Sequence, residues 1–155
     1  MNKYRHYHDL HITIEKFNPI KNDPGSNKPK GGLWSSPVDP DGKGFGWDDF
    51  CEAERWYKGD IEQYVDFYLT PDARILEIKD KESAESLPIL KGYEDFTFLI
   101  IPDFEKLAQS YDAILFTETK YTHMALYGWD CDTLLVMNYD VIYDSQENLN
   151  MEKIK

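Results

Sequence analysis

Between Lys28 and Pro37 the chain reads KPKGGLWSSP. The double glycine Gly31-Gly32 lets the backbone turn sharply and leaves room for another group to come close. Leu33-Trp34-Ser35-Ser36 reads as a short strand closed by Pro37. An ordinary core strand would not need the glycine pair, so the stretch reads as a ligand-facing loop and strand. Trp34, and Trp47 further along, offer flat faces on which a planar ring can stack, although a tryptophan serves equally as core. Two other places carry chemistry. His11 and Thr13 share a face of an early alternating run. Asp130 and Asp132 flank Cys131 just ahead of the apolar run TLLVM. An acidic residue there is either turn chemistry or a carboxylate held at a strand edge and aimed into a cleft.

Several common sites are disfavoured. His6, His8 and His11 form H-x-H-x-x-H, but on a strand His6 and His8 lie on one face and His11 on the other. A three-histidine metal site would require a broken strand, and no metal is expected. Ser35 and Ser36 lack the G-x-S-x-G elbow of a serine hydrolase. Cys51 and Cys131 form no C-x-x-C pair, so neither a zinc site of the usual type nor a disulfide framework is expected. Asp48-Asp49 is better explained by helix capping.

The elements that must position these residues follow from periodicity. Tyr7–Phe17 alternates, with Leu10, Ile12 and Ile14 toward a core and His11, Thr13 and Glu15 outward, which predicts a strand. Residues 18–30 are loop-forming. Val38–Trp47 is a glycine-rich loop able to act as a lid. A helix is expected from Asp49, boxed with Glu52 and carrying Phe50, Ala53 and Trp56/Tyr57 as its stripe, up to Lys58-Gly59. A second is expected from Asp60, with Ile61, Tyr64, Val65 and Tyr68 as its apolar stripe. Strands are expected at Ala73–Lys79, Phe96–Ile101, Ala113–Thr117, Met124–Trp129 and Asp132–Asn138, the last two as a hairpin. Asp80–Leu87 reads as a short helix or loop, and Asp103 caps a helix over Phe104, Leu107 and Ala108. This order predicts an α+β domain with mixed, largely antiparallel sheets and flanking helices. There is no G-x-G-x-x-G after a strand, so a dinucleotide-binding βαβ unit is not expected.

The chain has 155 residues, enough for one domain over 1–155, with the last dozen expected to fray. A formal net charge of -12 disfavours extended binding to a nucleic-acid backbone, unless the acidic surface itself mimics DNA. Aromatics make up 15% of the residues, which argues for a packed globule. The first residues carry no apolar targeting region and no run is long enough to span a membrane, so a cytoplasmic protein is expected.

Taken together, the first strand with His11-x-Thr13, the second strand Gly32-Leu33-Trp34-Ser35-Ser36, and a late strand opening at Asp132 and running toward Ile142 resemble the ADP-ribosyltransferase superfamily. The likeness is to its histidine-tyrosine-glutamate branch, that of diphtheria-toxin-like and poly(ADP-ribose)-polymerase-like domains. It spans most of the chain through short motifs. The resemblance implies a split β-sandwich-like fold and NAD as co-substrate, with ADP-ribose, as in a mono-ADP-ribosyltransferase, passed to a macromolecular target. It implies His11 and Asp132 as catalytic residues. It implies that His11, Thr13, Gly32, Leu33, Trp34, Ser35, Ser36 and Trp47 contact NAD. Asp132 stands where the family has glutamate, one methylene longer, so Glu118 is an alternative acid. The family's tyrosine after the second strand has Trp47 as its nearest substitute. Two other readings stand beside this one. The chain is an acidic, non-catalytic interaction protein of inhibitor or DNA-mimic type, or it is a catalytically dead relative of the same fold.

Overall fold

A computed structural model describes residues 2–55, 59–96 and 99–143. Seven strands form one mixed sheet. They are β1 (Lys3–Tyr7), β2 (Leu33–Pro37), β3 (Tyr64–Leu69), β4 (Ile75–Ile78), β5 (Ala113–Phe116), β6 (Thr133–Val136) and β7 (Ile142–Tyr143). Their order across the sheet is β4-β5-β6-β2-β1-β3-β7. Only β4 and β5 run parallel, and every other neighbouring pair is antiparallel. The helices are α1 (Trp47–Ala53), α2 (Gly59–Glu62), α3 (Lys81–Glu85), α4 (Phe104–Ser110) and α5 (Lys120–Ala125). The α+β class with a largely antiparallel sheet is therefore as the periodicity predicts.

Strand β6 shows how the core is divided. All four of its residues are buried, because both faces of the sheet are covered there. Leu135 joins a cluster with Ile78, Phe104, Phe116, Leu126 and Trp129, under α3, α4 and α5. Leu134 and Val136 point the other way, into a cluster with Tyr4, Phe67, Leu69 and Val141. Each buried leucine or phenylalanine contributes about 1.5–3 kcal/mol relative to exposure, so the two clusters hold the middle of the sheet.

Strand β2 changes partners along its length. Leu33, Trp34 and Ser35 pair with β6, while Ser36 and Pro37 pair with β1. Beyond Ser36 the β1 side of β2 is met by a side chain: the His6 ring donates from Nδ1 to the Trp34 carbonyl at 2.7 Å. The sheet opens at this point.

Five expectations are corrected. The first strand is Lys3–Tyr7, not Tyr7–Phe17. His8 has φ 77°, which ends the extended run, and residues 14–16 form a 3-10 turn. Ile12 is buried, but Leu10 and Ile14 are exposed, so the alternation there faces no partner strand. The helix expected from Asp60 stops at Glu62, and Tyr64–Leu69 is a strand. Five residue pairs with β1, from Lys3↔Tyr68 to Tyr7↔Tyr64, outweigh the helical spacing of the apolar residues, and a run rich in aromatic and β-branched residues suits a pleated surface. Met124–Trp129 is no strand and forms no hairpin. It contains the end of α5, which starts where Thr119 Oγ1 accepts from Thr122 N–H. Helix α1 begins at Trp47, two residues earlier than expected, with Asp49 accepting from Gly46 N–H rather than acting as the cap itself. Of the strand expected at 96–101, residues 97 and 98 lie outside the described residues, and 99–101 adopt no strand. Trp56, Tyr57, Lys58 and the tail from residue 144 also lie outside them.

The other elements agree with expectation. Strands β2, β4, β5 and β6 and helices α3 and α4 fall within their predicted spans, and Asp103 caps α4 by accepting from Lys106 N–H.

Candidate functional site

Where the sheet opens lies a cavity of about 260 Å³. Strand β1 and its exit supply His6, Tyr7 and His8. Strand β2 supplies Trp34, Ser35 and Ser36. Trp47 comes from the start of α1, Gly128 to Cys131 and Thr133 from the lead into β6, and Lys28 stands at the lip.

The walls are rigid for identifiable reasons. Trp129 is buried, donates from its indole N–H to the Asn27 carbonyl at 2.7 Å, and packs edge-on against Trp34 with centroids 5.0 Å apart. Ser36 Oγ accepts from Trp47 N–H at 2.9 Å, which sets the start of α1 against β2. Ser35 Oγ donates to the Leu134 carbonyl at 2.8 Å and so fastens β2 to β6. Trp47 stacks on Phe50 at 5.5 Å.

His6 is held at both ring nitrogens. Nδ1 meets the Trp34 carbonyl and Nε2 lies 2.9 Å from an Asp9 carboxylate oxygen. Lys16 first, and His6 second, hold the Asp9 carboxyl below its ordinary range. His8 is exposed at the rim, in a left-handed backbone conformation that is uncommon for a side-chain-bearing residue and clusters at functional sites.

Two lining groups are chemically quiet. Burial pushes the Cys131 thiol up to about 12, so it stays protonated and is a poor nucleophile. Burial, helped by Asp48, likewise pushes the Tyr7 hydroxyl up to about 12. Asp130 differs: it lines the cavity, and its carboxylate makes no hydrogen bond or ion pair among the described residues.

Of the residues the family resemblance implies, Trp34, Ser35, Ser36 and Trp47 meet at this cavity, and of the others weighed in the sequence His6, His8, Asp130 and Cys131 line it too. The remaining residues of the resemblance do not. His11 is exposed and Thr13 half-buried, both beyond the end of β1, and neither lines the cavity. Gly32 and Leu33 also stay out of it. The glycine pair serves the protein's own packing. A Cβ on Gly31 would sit 2.2 Å from the Pro19 carbonyl oxygen, and one on Gly32 would sit 2.7 Å from the Leu135 side chain, both at positive φ. Asp132 is committed elsewhere. Its Oδ1 accepts from Glu118 N–H at 2.7 Å and its Oδ2 from Phe45 N–H at 3.0 Å. It lines a second, larger hollow of about 480 Å³ beneath the glycine-rich loop, together with Lys3, Arg5, Asp39 and Asp48. Glu118 lines neither hollow. Burial raises its carboxyl, His123 at 3.3 Å opposes this, and Asp132 and Asp130 add to it.

The cavity residues that the sequence did not point to are Tyr7, Lys28, Gly128, Trp129 and Thr133, while His6, His8 and Asp130 were noted in the sequence without being assigned to the NAD site. For the histidines the signal was present in H-x-H. The strand expected to carry His11 ends at His8, so His6 and His8 rather than His11 lie at the cavity. No helix among the described residues is long and apolar enough to cross a membrane.

The fold and site together describe a mixed α+β protein with a tryptophan-walled cavity where its sheet opens. In comparisons with family models, curated proteins and solved structures, nothing matches this chain.

Proposed function

We propose that the cavity receives the nicotinamide end of NAD and that the chain is an ADP-ribosyltransferase-like enzyme acting on a macromolecular target. One observation carries the reading. Trp34, Ser35, Ser36 and Trp47, four of the residues on which the family resemblance rests, surround a single cavity together with the end of β1 and the lead into β6, while His11 and Thr13 of the resemblance lie outside it. Trp34 and Trp47 supply aromatic surface for a planar ring. His6 and His8, not His11, are the histidines at the site. Asp130, not Asp132, is the acid that faces it.

In the transfer, the glycosidic C–N bond to nicotinamide breaks and its electron pair leaves with nicotinamide. The acceptor's nucleophilic atom forms the new bond to the ribose carbon and gives up a proton. Positive charge develops on the sugar as the bond breaks. A carboxylate without a partner in a partly enclosed cavity stabilises that charge, and Asp130 is in place to do so. A ring held by His6-fixed walls loses little further freedom on reaction.

The test is titration of NAD followed by tryptophan fluorescence, with nicotinamide release measured alongside. Saturable binding that Trp34→Ala weakens at least tenfold supports the reading, and absence of any response at millimolar NAD refutes it. A second reading has one observation in its favour. The carboxylate of Asp132, which opens the late strand, is fully engaged by backbone N–H groups, as expected of a relative that binds NAD without transferring it. Binding with no nicotinamide release, unchanged by Asp130→Asn, would select that reading.

A further inference from the structure

We infer that Lys28 is an anion-anchoring residue at the lip of the tryptophan cavity, and that the ligand carries phosphate groups beside its planar ring. This rests on the reading of the cavity as a ligand site, and adds to it the residue that selects a phosphorylated ligand over the bare ring.

Lys28 is fixed from both sides. Its neighbours Asn27 and Pro29 are buried, the Asn27 carbonyl accepts the Trp129 indole N–H, and Lys28 N–H donates to Ser26 Oγ at 3.1 Å. The side chain runs along Gly128, where a Cβ would lie 3.6 Å from Lys28 Cε and 4.0 Å from Nζ.

The charge around it is unusual for this chain. Asp and Glu outnumber Lys and Arg by 29 to 17, yet the Lys28 ammonium has no ion pair among the described residues. Lys30 lies two residues on, and an isolated antiparallel bridge sets Lys21 opposite it. Neither has an ion pair among the described residues. Lys28 is the one of these three lysines that lines the cavity, and its ammonium is uncompensated in a protein of net charge -12. Asp130, which also lines the cavity, is the carboxylate an anion must avoid. A ligand cationic at its ring and anionic beyond it satisfies both charges. A lysine ammonium suits phosphate as a compact point charge.

The experiment compares nicotinamide, nicotinamide mononucleotide, NAD and inorganic pyrophosphate, each titrated by tryptophan fluorescence at fixed low ionic strength. The wild-type chain is set against Lys28→Ala and Lys28→Arg. Lys28→Ala should weaken pyrophosphate, mononucleotide and NAD about tenfold or more, the size of one lost charged hydrogen bond, and leave nicotinamide unchanged. Lys28→Arg should retain most of the affinity. Equal affinities of wild type and Lys28→Ala for NAD and pyrophosphate would overturn the anion anchor while leaving nicotinamide binding, and the cavity reading, intact. Pyrophosphate binding that depends on Lys28, with no response to nicotinamide or NAD, would uphold the anchor and remove NAD as the ligand. No binding of any of the four would overturn both.

Discussion

The imidazole of His6 takes over from the backbone where β1 and β2 part, donating from Nδ1 to the Trp34 carbonyl at 2.7 Å. One side chain thereby satisfies the main chain of the strand that bears Trp34, and the cavity opens beside it. His6→Phe fills similar space but offers Trp34 no donor. A part-buried carbonyl left unsatisfied costs about 1–3 kcal/mol. Urea unfolding of His6→Phe should show a loss in that range, and a loss below a few tenths would mean that water replaces the ring without penalty.

Asp130 and Asp132 stand two residues apart and do different work. Asp132 joins the loop at Phe45 to the end of β5 at Glu118. Asp132→Ala leaves two N–H groups without their acceptor and should cost about 2–4 kcal/mol, read as a lowered urea midpoint. Asp130→Asn removes a carboxylate that makes no bond among the described residues and should leave the midpoint within about 0.5 kcal/mol. In the proposed reaction the same change should abolish nicotinamide release. The opposite pattern, an inert Asp132 and a structural Asp130, would transfer the acid's role back to Asp132.

Asp112 gives the chain a defined acid response. Its carboxylate accepts from Arg74 N–H, Nε and Nη2 and from Asn138 Nδ2. The Arg74 side chain first, then Arg74 N–H and Asn138, hold the carboxyl well below the usual carboxylate range against the opposing effect of burial. A folded pKa depressed below the unfolded one means stability that is complete above the unfolded value of about 3.9 and lost as pH falls from there through the folded pKa. Unfolding midpoints measured from pH 6 down to pH 2 should therefore decline below about pH 4. The decline should be shallower in Asp112→Asn, which binds no proton in this range. An unchanged slope in that variant would assign acid sensitivity to other carboxylates.

Gly31 tests what the glycine pair is for. Its φ is +80°, and a Cβ would lie 2.2 Å from the Pro19 carbonyl oxygen, a backbone atom that cannot swing aside. Gly31→Ala should cost more than the roughly 1–2 kcal/mol that left-handed backbone alone imposes. A loss confined to ligand binding, with unchanged unfolding, would restore the glycines to a ligand-facing role.

Local chemistry was enough for the elements whose signals did not compete. Asp103 ahead of Phe104 and Leu107 starts a helix, and the runs AILF and TLLV are strands because apolar, β-prone residues lie between polar stops. Tyr64–Leu69 shows the limit. Its aromatic and branched residues fit a helical stripe and a strand equally well, and only the five pairs offered by β1 decide between them. Leu10, Ile12 and Ile14 show the same limit from the other side, since their alternation has no neighbouring strand to meet.

By itself, the sequence determined the α+β class and the strand Leu33–Pro37, and it singled out Trp34, Ser35, Ser36 and Trp47, which line one cavity. These follow from side-chain type and spacing within a few residues. Tertiary structure alone decided which histidine and which aspartate join them. His6 rather than His11 lies at the site because β1 ends at His8. Asp130 rather than Asp132 faces the cavity because the Asp132 carboxylate is drawn to N–H groups of Phe45 and Glu118, 87 and 14 residues away along the chain. No short-range pattern encodes bonds of that span. They exist only once the sheet has closed and the glycine-rich loop has folded against it.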